Sequence, residues 1–310
     1  MKRHFDIRRY LYVMIPVAVV LYVLSTFVFA KTQVSAQSAL TGLLLFVANA
    51  AAVYFTVEFF SLGINHTAPL LFASLALSFP AVALYESFYL CTPLVCGAFY
   101  LAVKYHGGEV SDDMAFFYCA FIAVASMLFP PLAWLFPFVL AMNFAMAGDK
   151  VRYVVMSLMG MLLPLVVYLS YLYIATDVRN LLPAAGAYLR QIVTPAPSLG
   201  ASSAARVIKV LIFAICYAVA LGRFFRRSAE YSVSHSHVMI FIFSYTAMMV
   251  LLLAMFPYGG RTTNTMLIMM PLSIVFYDYL VWGADDRQCR IALAFLALAL
   301  VLEYAFVAVR

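Results

Sequence analysis

The sequence predicts an all-α polytopic bundle of transmembrane helices, and three observations support that fold class. Hydrophobic residues make up 66% of the 310 positions and charged residues 10%, and the mean hydropathy is +1.01. A soluble domain is about half apolar and about a quarter charged. Apolar runs alternate with short polar turns from one end of the chain to the other. Because backbone groups at membrane depth must be satisfied within helices, residues 1–310 are predicted to form a single integral membrane domain.

The positions of the spans follow from the thickness of the hydrocarbon core, which roughly 20 apolar residues cross. The first apolar run, 11–30, follows a basic N-terminus. It is longer than the roughly 7–15 apolar residues of a signal peptide, so a retained span is favoured over a cleaved signal. The run 40–79 is too long for one span and divides near Asn65-His66. We predict about eleven spans, near 11–30, 39–62, 68–84, 88–105, 114–129, 131–147, 153–175, 206–223, 237–256, 264–283 and 291–309.

Pro130-Pro131 joins two short spans, 114–129 and 131–147. Proline lacks the backbone donor and disfavours helix at the residue before it, so the first of these helices is predicted to end near Phe129. The pair forms either a hairpin that just crosses the membrane or a re-entrant one. The segment 176–205 is the longest connection, and it contains an amphipathic piece, AAGAYLRQIV.

The charge pattern predicts the orientation of the chain. In this eleven-span arrangement, lysine and arginine are more frequent on the connections that lie on the same side of the membrane as the N-terminus. The positive-inside rule therefore places the N-terminus in the cytoplasm and the C-terminus in the periplasm of a bacterial inner membrane. The net charge of +6 is explained by these topology signals, and no nucleic-acid partner is predicted. The expected partners are the lipid bilayer, a membrane protein and a lipid-linked substrate.

Short motifs resemble those of an uncharacterised family of bacterial multi-pass inner-membrane proteins. The matching features are Asp113 before a span, SMLFPP at 126–131, the basic turn 150–152, Gly160 followed by Pro164, and the segments LGINHTAP and MPLSIVFYDYL. Members are sometimes labelled as β-carotene monooxygenases, enzymes that hold iron with four histidines in a β-propeller. A helical chain whose five histidines fall in separate segments does not fit that label. The resemblance therefore implies a location and no activity.

No metal site or cofactor is predicted. The five cysteines form no CxxC pair and none has a histidine at metal-ligand spacing. His235 and His237 have the alternate spacing of ligands in an extended loop, but no third ligand lies nearby in the sequence. There is no Walker loop, no GxSxG motif and no HExxH motif.

Four acidic residues are candidates for functional polar groups at membrane depth: Glu58, Glu86, Asp278 and Glu303. Ionisable groups there are costly and frequently functional. Each lies near the end of a predicted span, where a side chain can also reach interfacial water. Asn65-His66 is interpreted as a helix-capping turn in preference to a ligand site.

Four arginines fall on the predicted periplasmic side and are candidates for substrate binding: Arg179, Arg190, Arg206 and Arg261. Guanidinium groups bind phosphate through two hydrogen bonds, as a polyprenyl-linked diphosphate would require. The alternative, that these are loop arginines in contact with lipid phosphates, is favoured.

The sequence favours a non-catalytic component of the cell envelope, and it assigns no catalytic residue. The first alternative is a polyprenyl-phosphate-linked glycan polymerase or transferase that acts at the outer face, with Arg261 as its principal binding residue. The second alternative is a transporter, which would require internal repeats with broken helices.

Overall fold

The computed structural model describes residues 36–59, 67–77, 90–106, 112–146, 150–175, 178–193, 204–255, 260–283 and 286–309, with separate helical positions between 12 and 20. No β-strand occurs among these residues. The predicted all-α class is therefore confirmed. The predicted span at 11–30 and the turn at Asn65-His66 lie largely or wholly outside the described residues.

Eleven α-helices have continuous bounds in the described part of the chain. They are α1 (Ala36–Phe59), α2 (Thr67–Ala76), α3 (Cys91–His106), α4 (Asp112–Leu128), α5 (Leu135–Met146), α6 (Lys150–Ala175), α7 (Val178–Val193), α8 (Ala204–Arg227), α9 (Val233–Met255), α10 (Gly260–Asp278) and α11 (Asp286–Val309). Short 3₁₀ turns cover Pro130–Trp134 and Ser228–Glu230, and a π-helical turn covers Tyr279–Gly283.

Within the described residues, four helical segments are long and apolar enough to cross a membrane. They are Leu40–Glu58, Val151–Tyr171, Ile208–Glu230 and Val233–Leu252. Three more apolar helical segments are shorter, at Asp113–Leu128, Pro130–Ala145 and Leu267–Val281. The predicted number of about eleven spans stays a prediction, because parts of the chain lie outside the described residues. The apolar side chains of these helices are partly exposed. In α6, for example, Leu163, Val167 and Ile174 are each more than half exposed.

α3 lies at the centre of the bundle and packs against α1, α4, α9 and α10. Phe99 of α3 contacts Tyr245 of α9 with 4.9 Å between ring centroids. At the C-terminal end of α3, His106 lies 4.6 Å from Phe241, near the start of α9. The two helices are therefore antiparallel, and the C-terminus of α3 and the N-terminus of α9 lie at the same end of the bundle.

The helix break predicted at Pro130-Pro131 is confirmed. α4 ends at Leu128, and Phe129 has φ −133° and ψ 89°, which is outside the helical region. The chain then forms the 3₁₀ turn Pro130–Trp134, in which the Leu132 amide donates to the Phe129 carbonyl at 3.0 Å. Trp134 donates its indole N–H to the carbonyl of Ile192 at 2.9 Å, which joins α7 to this turn.

Gly160 allows α4 and α6 to pack closely. A Cβ atom at this position would overlap the carbonyl oxygen of Phe116 and would lie 3.1 Å from Cβ of Cys119. Small residues at such crossings let helix backbones approach when no hydrophobic force drives helices together in lipid. Asn143 of α5 adds a polar contact next to this crossing by donating to Ser157 Oγ at 2.8 Å.

We predict that Gly160→Ala destabilises the protein by about 1–3 kcal/mol, the usual cost of overpacking, because the added methyl group meets backbone that cannot move aside. Gly222→Ala is the matched control, since a Cβ at Gly222 meets no atom within 4 Å. Thermal unfolding of the detergent-solubilised protein, followed by intrinsic fluorescence, should show a lower midpoint for Gly160→Ala alone. Equal midpoints for the two variants would contradict the close α4–α6 packing.

Candidate functional site

A cluster of histidine, tyrosine and aspartate side chains lies at one end of the bundle. It consists of His106, Tyr231, His235, His237 and Asp278, and we call this region the histidine end. It forms because α3 and α10 finish where α9 begins. The cluster brings together residues that are up to 172 positions apart, counted from 106 to 278.

Asp278 and His235 form a buried acid–base pair. Asp278 Oδ1 lies 3.3 Å from His235 Nε2, and the two side chains are 5% and 15% exposed. Neither of these atoms has a hydrogen bond to another described residue. Protonation of the imidazole would convert this contact into a charge-assisted hydrogen bond, which is about twice as strong as a neutral one.

The imidazole of His235 stacks on an aromatic ring, which in turn stacks on a second one. Tyr231 stacks on His235 with 4.6 Å between centroids and 13° between planes. Phe224 of α8 stacks on the ring of Tyr231, with 5.6 Å between the ring centroids. Burial, together with the nearby Asp278 carboxylate, raises the pKa of Tyr231 to about 12. Tyr231 is therefore a neutral platform that links α8 to the acid–base pair.

His106 is a neutral histidine at the same end. It lies between the rings of Tyr105, at 5.1 Å, and Phe241, at 4.6 Å. Burial, together with the nearby His237, lowers the pKa of His106 to about 3. Nδ1 of His106 is buried and has no hydrogen-bond partner among the described residues. The ring is thus poorly placed to accept a proton while the bundle is folded.

A π-helical turn follows Asp278 directly. α10 ends at Asp278, and residues Tyr279–Gly283 continue in the wider π geometry. Single π-turns in helices are frequent at functional sites. The thiol of Cys289, in the first turn of α11, lies 3.3 Å from the carbonyl oxygen of Leu280 and ties α11 to this turn.

Other buried polar side chains join pairs of helices. Asn49 of α1 donates to Thr92 Oγ1 of α3 at 3.1 Å. Tyr217 of α8 donates to the carbonyl of Phe243 in α9 at 2.8 Å. Lys209 of α8 is fully buried, although it is a basic residue near the start of a segment long enough to cross a membrane.

The four candidate arginines lie at the end opposite the histidine end. Arg206 and Arg261 are in the first turns of α8 and α10, whose C-termini reach the histidine end. Arg179 and Arg190 are on α7, which packs against the proline turn. The side chain of Arg190 is exposed, and the structure describes only the backbone of the other three. Phosphate binding by these arginines stays a prediction.

Tyr188 fixes α7 to this opposite end. Its hydroxyl lies 3.2 Å from both the carbonyl oxygen and Oγ of Ser126, near the end of α4. Desolvation by burial raises the pKa of Tyr188. The amphipathic piece predicted in 176–205 is therefore a helix anchored by Tyr188 and by Trp134.

The four candidate acids have different surroundings. Glu58 is exposed near the end of α1, whereas Asp278 is buried against His235. Glu303 lies in α11, where only its backbone is described, and Glu86 lies outside the described residues. A functional role for each of them stays a prediction.

The segment that contains His235 and His237 is helical and is not an extended loop. Both lie in the first turns of α9, which begins at Val233. Residues two apart on a helix point in different directions, so His235 contacts Asp278 while His237 lies near His106. Within the described part of the chain, no three His, Cys, Asp or Glu side chains are placed to hold a metal ion.

These features define an all-α protein with several helices of membrane-crossing length. The family described as "Family of unknown function (DUF6427)" matches residues 8–309, and the chain belongs to that family. The predicted membership of an uncharacterised family is thus confirmed. No curated protein and no solved structure matches the chain.

We predict that the free energy of unfolding decreases as the pH falls, because His106 is protonated more readily in the unfolded chain. Unfolded His106 binds a proton below about pH 6.5, whereas folded His106 stays neutral until about pH 3. Stability is therefore full above 6.5 and declines as the pH falls toward 3, by up to about 1.4 kcal/mol per pH unit.

The check is to compare unfolding of wild type and His106→Phe at pH 7 and pH 5. Wild type should lose about 2 kcal/mol more than the variant, because only wild type takes up this proton on unfolding. His237→Gln, which keeps His106, should retain most of the pH dependence. Parallel losses in wild type and His106→Phe would show that other groups cause the decline.

Proposed function

We propose that this chain is a non-catalytic component of the bacterial cell envelope that crosses the inner membrane about eleven times and responds to protonation at its cytoplasmic end. The observation that carries the proposal is the buried pair of Asp278 and His235. Ionisable side chains inside membrane proteins are costly, and they commonly mark proton relays or sites of coupling.

The pair connects two helix ends, and its protonation would change their interaction. Asp278 is the last residue of α10, and His235 lies in the first turn of α9. One added proton strengthens the contact between them and also adds a positive charge beside Tyr231. Because Tyr231 stacks on Phe224, the same event reaches α8. Three helices therefore meet at this acid–base pair.

The surroundings of the pair support a role without turnover. His235 contacts Asp278 and Tyr231, and His106 contacts Tyr105 and Phe241. The polar groups of this cluster are therefore in contact with other side chains of the protein. A substrate site, by contrast, is usually concave with a few convergent polar groups. The cavity described next to the π-turn is lined mainly by apolar side chains.

The arginine distribution supports a cytoplasmic position for the histidine end. Five arginines lie on the segments that begin or end there: Arg223, Arg226, Arg227, Arg287 and Arg290. Basic residues that flank spans collect on the cytoplasmic side. With this orientation α7 and the four candidate arginines face the periplasm.

The orientation can be tested by cysteine labelling in a background without the native cysteines. Ser232→Cys, between α8 and α9, should react only when a reagent reaches the cytoplasm. Ser198→Cys, between α7 and α8, should react with a membrane-impermeant reagent added to whole cells. Labelling of both positions from the same side would contradict the eleven-span arrangement.

The role of the acid–base pair can be tested in a strain that lacks the gene. We expect the deletion to weaken the envelope, measured as sensitivity to detergent, and wild type to restore it. Asp278→Asn and His235→Gln keep size and polarity but remove the titrating groups, so each should restore less than about one tenth of the resistance. Glu58→Gln, at an exposed acid, is the control and should restore it fully.

Membrane levels of each variant are measured by immunoblotting, so that loss of protein is distinguished from loss of function. Full restoration by Asp278→Asn at equal level would overturn the proposed protonation role. Restoration by the pair exchanged as Asp278→His with His235→Asp would support it, because the two titrating groups then remain in contact.

A further inference from the structure

A partly open crevice lies between α8, α11 and the π-helical turn. Its volume is about 150 Å³, and its walls include Ile215 and Val219 of α8 and Ile291 and Phe295 of α11. Each of these four side chains is about half exposed or more, so the crevice opens on the outside of the bundle. A cavity of this size with apolar walls holds a benzene-sized apolar group. It therefore suits part of a hydrocarbon chain.

The crevice runs from the histidine end toward the middle of the bundle. Gln288 and Tyr279 line it near the histidine end, and Phe276 and Leu296 line it farther in. From Gln288 to Leu296 the wall formed by α11 is about 12 Å long, at a rise of 1.5 Å per residue. Polar side chains therefore line one end of the crevice, and apolar side chains line the other end.

Basic side chains flank the polar end of the crevice. Arg223 lies one helical turn beyond Val219 on α8, and therefore on the same face. Arg287 and Arg290 lie on either side of Gln288 in α11 and are exposed. The arginines of these segments are Arg223, Arg226, Arg227, Arg287 and Arg290, and the acids are Glu230, Asp285 and Asp286. Positive charge therefore exceeds negative charge on these segments.

We propose that the crevice binds an acyl chain of an anionic phospholipid whose phosphate group contacts Arg223 and Arg287. The apolar walls receive hydrocarbon, and the arginines lie at the mouth, where a lipid headgroup would sit. Guanidinium groups bind phosphate oxygens through paired charge-assisted hydrogen bonds. That this lipid belongs to the cytoplasmic leaflet rests on the orientation in the proposed function, but the binding itself does not.

The dimensions favour a lipid over a protein partner. A helix from a second copy or another protein is about 10–12 Å across with its side chains. A crevice of about 150 Å³ is too small to enclose such an element. An extended acyl chain is narrow enough to enter, and the helices on either side are apolar along the same length.

Native mass spectrometry of the full-length protein in detergent tests the proposal. Phosphatidylglycerol and phosphatidylcholine with identical acyl chains are titrated in parallel. We expect phosphatidylglycerol to bind at least tenfold more tightly, because only the arginine contacts distinguish the two headgroups. The double variant Arg223→Gln with Arg287→Gln should reduce that preference to less than about threefold. Arg152→Gln, an exposed arginine of α6, is the control and should keep it.

A second variant tests the hydrocarbon part of the site. Ala292 lines the crevice and Ala294 is exposed on the same helix outside the lining. Ala292→Leu fills the crevice and should weaken binding of both lipids about tenfold, whereas Ala294→Leu should weaken neither. Unfolding temperatures are measured for both, and if Ala292→Leu unfolds, the arginine variant still decides the question.

Equal binding of the two lipids by wild type would overturn the proposal, as would an unchanged preference in the arginine variant. Dimer masses that disappear with Ala292→Leu would show a second copy at the crevice and would also overturn it. None of these outcomes depends on membrane orientation or on Asp278. Failure here is therefore distinguishable from failure of the proposed protonation role.

Discussion

Contacts between polar side chains of neighbouring helices organise this structure. Asn143 and Ser157 join α5 to α6, Asn49 and Thr92 join α1 to α3, and Asp278 and His235 meet between α10 and α9. Hydrogen bonds between membrane helices are individually modest, about 0.6 kcal/mol on average. Each one nevertheless fixes how two apolar helices are rotated and aligned, because any other alignment leaves a polar atom unpaired in apolar surroundings. Close packing at Gly160 then completes the alignment of α4 with α6.

The two ends of the bundle differ in their chemistry. The histidine end gathers ionisable side chains around the buried residues His106 and Asp278, with arginines on the segments that lead to it. The opposite end is closed by α7, an amphipathic helix held by Tyr188 and Trp134 against the proline turn. One end of the bundle therefore carries ionisable side chains, and the other end is covered by an amphipathic helix. That polarity is consistent with the proposed role at a membrane with two unlike sides.

The π-helical turn at Tyr279–Gly283 links the two sites described here. Asp278, the residue before it, faces His235 inside the bundle, whereas Tyr279 and Leu280 line the crevice on the outside. Leu280 also accepts the contact from Cys289 that attaches α11. One wide turn therefore separates an interior acid–base pair from an exterior apolar crevice within three residues. A change in the packing of α9 against α10 would reach both.

The sequence by itself determined the all-α class and several local features of the helices. Apolar runs and prolines act locally, so the break at Pro130-Pro131 and the amphipathic piece around Tyr188 were predictable from a few neighbouring residues. Membership of an uncharacterised family was likewise carried by short motifs. The sequence also singled out Asp278, although only as one of four acids.

Only the tertiary structure decided which polar side chains meet. His106, the neighbouring residues Tyr231 and His235, and Asp278 come from three distant parts of the sequence, and their contacts depend on the antiparallel order of α3, α9 and α10. The different surroundings of His235 and His237 have the same origin, because residues two apart lie on one face of a strand but on different sides of a helix. The burial of Lys209 likewise depends on the rotation of α8 and not on composition. Local patterns fix elements, whereas helix rotation and register fix sites, and these arise from packing among residues that no short stretch contains.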